Sequence, residues 1–332
     1  MQPGPRRHAD HFTGRPGGRD GSGACISRGF GLTTETAVLF MAYGTPRTLD
    51  EVEPYFTNIR GGRPPSETEV RDLRGRYEAV GNRTPLLAIT ERQAQAAARL
   101  LRNRGHAVRA YVGMKHWHPF VDETIKEIAH AGLSRIVAIP LAPFYSAVST
   151  GGYRKAVDEA IAGRDISVTF VKEWSSTPKL FDTWRTILME SLEDRPLGRD
   201  GHLLFTAHSL PKDRMPPGDP YEDQLRTLAA KLANSVDLRA WTFAFQSVGM
   251  AGGEWLGPSV SDVLDTLAAG GASDVLVAPI GFVADNLETL YDLDRKLTAQ
   301  AEREGMTLRR TPVPNDRPEF VEALAHVVAS RL

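Results

Sequence analysis

From residue 35 onward, short runs of apolar and β-branched residues alternate with longer amphipathic stretches, the pattern of βαβ units around parallel sheets. Runs at 37–42 (AVLFMA), 107–112 (AVRAYV), 135–141 (RIVAIPL) and 167–172 (SVTFVK) predict the strands of one sheet. Runs at 202–207 (HLLFTA), 241–246 (WTFAFQ), 274–280 (DVLVAPI) and 307–313 (TLRRTPV) predict a second. The two sets copy one another: VLFMAYGTP parallels LLFTAHSLP, and IVAIPLAPFYS parallels VLVAPIGFVAD. This repeat predicts an α/β fold of two similar doubly wound, Rossmann-like lobes, 35–175 and 176–332, each with a four-stranded parallel sheet flanked by helices, facing across a cleft. Ligands of open α/β sheets bind beyond the carboxyl ends of the strands. Tyr43 and His208 occupy the same slot in the two copies, so both are expected in the cleft. The connection 43–106 is much longer than its counterpart 208–240, and its added stretch, 48–90, is broken by Gly-Gly and Pro-Pro, which predicts a lip over one side of the cleft.

Candidate chemistry sits on these strand ends. Most histidines are satisfied surface or core residues, so it is the strand-end slot of His208, and not the residue type, that marks it. In GFVADNLETLYDLD, a helix starting near Asp285 would set Glu288 and Asp292 one turn apart on one face, either as a solvated acidic first turn or as carboxylates directed at the cleft. A neutral imidazole facing a carboxylate suits a borderline divalent metal such as ferrous iron, and equally suits proton acceptance. In KHWHP, His116 and His118 point to opposite faces if extended, so at most one reaches the cleft. Arg60, Arg63, Arg74, Arg76 and Arg83 lie in the lip among many carboxylates, as a solvated helix surface would have them, with room for one or two to clamp a substrate carboxylate. The turns YGTP and HSLP lack the glycine spacing of a phosphate loop, which argues against nucleotide chemistry.

Composition narrows the classes. The 332 residues are 41% hydrophobic, and 40 Lys and Arg against 41 Asp and Glu leave a net charge of -1, with no electrostatic reason to expect nucleic acid. The longest apolar stretches are about half of a membrane crossing, so no transmembrane segment is expected. The single cysteine, Cys25, rules out an internal disulfide, a zinc site of several cysteines and a four-cysteine iron–sulfur cluster, and fits a cytoplasmic setting. Residues 1–34, rich in Gly and Arg without apolar period, are read as a disordered N-terminal extension.

The ordered motifs LFMAYGTP, IRGGRPP, RYEAVGNRTPLLAIT, VGMKH, TAHSLP, GDPYEDQL and GFVADNLETLYDLD resemble those of ferrochelatases, from Val38 to the C-terminus. The chain is most similar to the soluble type of Gram-positive bacteria, which inserts iron into coproporphyrin III. The resemblance implies a chelatase-like fold and a lyase of haem biosynthesis that releases two pyrrole protons. It gives ferrous iron as a substrate and implies no permanently bound cofactor. It further implies His208, Glu288 and Tyr43 as catalytic residues, the first two as metal ligands and Tyr43 contacting the metal from the opposite porphyrin face. Arg60, Arg76, Tyr77, Thr84 and Tyr145 are implied to hold the macrocycle and its propionates, with Lys115 and His116 at the cleft edge. Partners implied are the porphyrin, ferrous iron and transient partners upstream and downstream in haem synthesis. Alternatives are a protoporphyrin IX ferrochelatase, a cobalt or nickel chelatase of the same fold, and a non-catalytic porphyrin- or haem-binding protein. Departures are Lys296 where relatives continue the acidic line, Gly81-Asn82 for Gly-Gly, Thr84 for serine and Phe245 for a tryptophan.

Overall fold

The computed structural model describes Met1, residues 35–249 and residues 253–332; the expected extension 1–34 lies, but for Met1, outside the described residues. The elements run β1 (Thr36–Ala42), α1 (Val52–Ile59), α2 (Glu67–Ala79), α3 (Leu86–Asn103), β2 (Val108–Met114), α4 (Val121–His130), β3 (Arg135–Pro140), α5 (Thr150–Ile161) and β4 (Ser167–Phe170). They continue with α6 (Pro178–Asp194), β5 (Gly201–His208), α7 (Tyr221–Ser235), β6 (Trp241–Gln246), α8 (Val260–Ala269) and β7 (Asp274–Ala278). A π-helix, Glu288–Leu297, runs into α9 (Thr298–Arg303), followed by β8 (Thr307–Arg310) and α10 (Pro318–Ala329).

Two parallel sheets of four strands form, ordered β2-β1-β3-β4 and β6-β5-β7-β8, so the repeat seen in the sequence is a repeat of topology. In each the strand order reverses beside the first strand, which makes the carboxyl ends of β1 and β5 the switch points where ligands bind. All seven residues of β1 are buried, as expected of a central strand covered on both faces, whereas the edge strand β4 alternates between exposed and half-buried positions. Four strands stop earlier than their apolar runs, β3 by a single residue at Pro140. β7 ends before Pro279 and β8 before Pro312, because proline has no N–H for the ladder, and β4 ends at Phe170.

A middle layer of helices joins the two halves. One apolar cluster takes in Val38 and Phe40 of β1, Leu203 and Phe205 of β5, Trp184 of α6 and Phe320 of α10. The last helix therefore returns to pack on the first half as well as the second. α3 shows why: Leu86, Ile89, Ala94, Ala97 and Leu101 follow helical spacing and are buried on one stripe. A shared core of this kind holds the two sheets in one relative setting, unlike the small polar contacts that let domains swing. The stretch 48–90, expected as a lip, holds α1 and α2, joined through Gly61 and Gly62 at positive φ. α2 starts with a Ser66–Glu69 capping box and buries only Tyr77.

Candidate active site

β5 delivers His208 to the switch point of the second sheet. Its ladder partner at the end of β6 is Gln246, fully buried, which accepts a hydrogen bond from the Thr206 hydroxyl at 2.7 Å. The Gln246 amide also reaches the backbone carbonyl of Glu288 at 3.4 Å. Tyr221 donates its hydroxyl to the His208 carbonyl at 3.0 Å, which fixes the strand end from the α7 side. The loop after β7 crosses over β5 at Gly281, where a Cβ would stand 2.5 Å from the Ala207 Cβ. Only glycine allows that approach, and the approach carries the chain to the π-helix.

His208 Nδ1 then meets Glu288 Oε2 at 2.9 Å, with both side chains about a third exposed, 35% and 33%. With Nδ1–H donating to the carboxylate, a neutral ring keeps Nε2 as its acceptor. Burial works against a charged imidazole here, but the charge and hydrogen bond of Glu288, reinforced by Asp292, outweigh it and raise the His208 pKa above the ordinary value. Asp292 receives the Ser247 hydroxyl at 2.5 Å and has Arg76 at 4.0 Å. Burial raises the Asp292 pKa, opposed by the Ser247 hydrogen bond. Lys296, one turn further, is exposed.

The pair lines a cleft of about 940 Å³ shared with Tyr43, Arg60, Lys115 and His116. Tyr43, at the end of β1, is 44% exposed and packs its ring 4.5 Å from that of His116. His116 is pushed down to about 3 by burial and by the charge of Lys115, so it is neutral at physiological pH. His118 turns away to Glu123 at 2.9 Å, leaving one histidine of KHWHP in the cleft. The Lys115 ammonium packs against Gly152, and burial lowers its pKa.

Other residues implied by resemblance stand elsewhere. Tyr77 and Thr84 are buried, both bonded to Thr45, at 3.2 and 2.9 Å, so they brace the wall and do not line it. Arg76 is directed at Asp292 and stacks on Tyr291. Tyr145 is half-buried outside the lining, with the Lys172 ammonium 4.2 Å from its ring centre. Conversely, Arg214 and Tyr153 line the cleft although no motif marks them, and Arg63 of the lip arginines lines it too. Arg214 comes from a turn, where periodicity carries no signal, and Tyr153 from α5, where its helical spacing with Thr150 and Val157 reads as core.

The ferrochelatase family model matches residues 35–332, all of the chain except the N-terminal extension. The chain belongs to the ferrochelatase family. A ferrochelatase of Herpetosiphon aurantiacus is 42% identical over 90% of this chain and 100% of its own length. A coproporphyrin III ferrochelatase of Oceanobacillus iheyensis is 36% identical, covering 89% of this chain and 96% of that protein. Among solved structures, the sirohydrochlorin chelatase SirB of Bacillus subtilis subspecies spizizenii, in complex with cobalt, superposes with a TM-score of 0.53 at 11% identity, over 89% of this chain and 94% of SirB. That likeness shows the shared two-sheet fold. As a ferrochelatase the chain is an enzyme, inserting iron into porphyrin in haem biosynthesis. No helix among the described residues is long and apolar enough to cross a membrane.

Proposed function

We propose that this enzyme inserts ferrous iron into coproporphyrin III at the cleft between the two sheets, and that His208, Glu288 and Tyr43 carry the reaction. The observation that bears most weight is the His208–Glu288 contact at 2.9 Å on the wall of a cleft of about 940 Å³. That volume is at the upper end for small-molecule sites, which suits a macrocycle better than a small metabolite. A free-base porphyrin holds two N–H protons where the metal must go. Each leaves as iron enters, so the balance is one Fe²⁺ in and two H⁺ out. The Nε2 of His208 accepts one pyrrole proton, releases it to solvent at the open cleft and then accepts the second, with Glu288 stabilising the imidazolium each time. Before it takes a proton, the neutral ring instead offers Nε2, beside a Glu288 oxygen, to arriving iron, a donor set that suits a borderline divalent ion. Tyr43 faces the ring from the other half. Because the halves share one core, binding energy at the ring periphery can be spent on bending its centre toward the geometry of insertion.

Coproporphyrin III is favoured by the names of relatives such as that of Oceanobacillus iheyensis and by the cations on the cleft wall, Arg60, Arg63, Lys115 and Arg214. Four propionates offer such a wall more charge than two. We place Arg60 at a propionate directly, with Arg76 beside Asp292, Tyr77 and Thr84 bracing the wall through Thr45, and Tyr145 outside the lining. The single cysteine leaves this chain unable to supply the thiolates of an iron–sulfur cluster, and iron enters as substrate. The reaction is assigned to the cytoplasm, with transient hand-over partners before and after it. The test is anaerobic turnover with Fe²⁺, Co²⁺ and Ni²⁺ on coproporphyrin III, protoporphyrin IX and sirohydrochlorin. The expected result is the highest kcat/KM for Fe²⁺ with coproporphyrin III. Faster insertion into protoporphyrin IX, or porphyrin binding without metallation, overturns the reading.

A further inference from the structure

Glu288 opens a π-helix of ten residues, Glu288–Leu297, although π-helical hydrogen bonding is rare and mostly limited to single turns. Such a run needs anchors outside itself, and the anchors converge on one guanidinium. Arg310, at the end of the edge strand β8, holds Asp294 through two bonds, Nε to Oδ1 at 2.7 Å and Nη2 to Oδ2 at 2.9 Å. The same side chain reaches Asp285 Oδ1 at 3.2 Å, and Nη1 donates to the Thr311 carbonyl at 3.1 Å. Arg310 thus ties a residue before the π-helix to a residue inside it, with Glu288 between them, and it lies outside the cleft lining. Its side chain is 12% exposed, so these bonds are little screened by water.

Asp285 is held from its other side as well. Asn315, at φ 46°, accepts the Asp285 N–H at 2.9 Å and returns an amide hydrogen bond to Asp285 Oδ2 at 2.8 Å. Gln93 of α3, fully buried, donates to the carbonyls of Val283 and Asn315 at 3.1 and 2.8 Å, which references this corner to the first half of the molecule. Asn286 completes the path by accepting the N–H groups of Glu288 and Thr289 at 2.9 and 3.1 Å.

We propose that Arg310 is a positioning residue for iron insertion: by clamping Asp285 and Asp294 together it fixes where the Glu288 carboxylate stands against His208. This rests on the role given to Glu288 above. Lysine keeps the charge but lacks the planar fork, so it cannot reproduce the paired bonds to Asp294 together with the contact to Asp285.

The experiment uses the full chain with Arg310→Lys and Asn315→Ala. It reads coproporphyrin affinity by fluorescence quenching, ferrous insertion per bound porphyrin, and the ¹⁵N imidazole spectrum of His208 at fixed pH. Arg310→Lys is expected to keep porphyrin affinity within about twofold and lower kcat by about 10- to 100-fold, as displacement of a catalytic group does. The His208 Nδ1 resonance should lose its hydrogen-bonded position. Asn315→Ala should do the same to a smaller extent. If Arg310→Lys fails to fold, Asp294→Asn removes one arm of the clamp and carries the same expectation. A variant that melts earlier yet inserts iron at the wild-type rate per bound porphyrin, with His208 Nδ1 unmoved, overturns the proposal. Wild-type protein that binds porphyrin without metallating it would instead sink the reading of the site's function, and the His208 spectrum would still decide the clamp.

Discussion

Glu288 accepts the Nδ1–H of His208 at 2.9 Å, and this contact sets which form of the ring fills the cleft at a given pH. Burial alone would lower the His208 pKa; the carboxylate reverses the sign and raises it. Proton acceptance needs the neutral ring, which prevails only above that raised pKa. Insertion should therefore climb with pH along an acid limb lying above the ordinary imidazole value. Glu288→Gln removes the charge and leaves burial dominant, so the limb should move to lower pH while the plateau rate falls by about 100-fold or more. Porphyrin affinity should stay close to wild type. The pH dependence of kcat for both proteins checks this, and a limb that stays in place would detach Glu288 from the titration of His208.

Much of this arrangement could be read before any coordinates. The paired slots of Tyr43 and His208 follow from a repeat of apolar runs, and parallel sheets put both slots at strand ends. Glu288 and Asp292 share a side whether the helix closes i to i+4 or i to i+5, so their spacing left a solvated acidic turn and a cleft-facing pair both open and did not reveal the π-helix. Its start and middle are held by Arg310, Asn315 and Gln93, contacts distant in sequence that no local pattern encodes. Tyr77 and Thr84 fell in matching motifs, but their hydroxyls are committed to Thr45 below the surface. A motif fixes neighbourhood more firmly than it fixes which way a side chain points.

Asp292 is held in the charged-carboxylate line at a cost in stability. Burial raises its pKa, and the hydrogen bond from Ser247 only partly offsets this. A carboxyl with a higher pKa folded than unfolded favours the fold fully only below the unfolded value, about 3.9, and loses that contribution as pH rises through the folded value. At neutral pH the ionised group therefore opposes folding. Asp292→Asn keeps an oxygen for the Ser247 hydroxyl and removes the charge, so it should raise the melting temperature at pH 7 while leaving it nearly unchanged at pH 4. Differential scanning fluorimetry at the two pH values checks the sign; a lower melting temperature at pH 7 would contradict it.

Gly281 is a second point at which the site dictates the residue. A methyl there would meet the Ala207 Cβ at 2.5 Å and its Cα at 2.8 Å, both on the fully buried end of β5, where nothing flexible can yield. Gly281→Ala should destabilise the protein by about 1–3 kcal/mol, as overpacking does. It should also reduce insertion in the molecules that remain folded, because the loop it displaces leads to Glu288. Paired measurements of chemical denaturation and of rate per bound porphyrin separate the two effects. Unaltered stability would mean that β5 gives way more easily than its burial indicates.

Charge on the cleft wall gives the last prediction, and here the pairing of each cation decides its weight. Arg60 is already engaged by Glu69 at 2.6 Å, so a substrate carboxylate gains only part of its charge. Arg214, in the turn Lys212–Arg214 after β5, lines the same cleft from the second half and forms no ion pair among the described residues. A guanidinium without a competing carboxylate is the better receptor for a propionate, since no existing bond must break. Arg214→Met keeps the apolar stem and removes the charge. It should raise KM for coproporphyrin III by about 3- to 10-fold, in line with one partly exposed charge-assisted contact worth about 1 kcal/mol. Protoporphyrin IX, lacking two of the propionates, should change less, and kcat for either should hold because the turn does not touch His208 or Glu288. Arg60→Ala, its charge already shared with Glu69, should discriminate less between the two porphyrins than Arg214→Met does. Equal losses on both porphyrins for Arg214→Met would show a general electrostatic pull and no propionate contact at that corner.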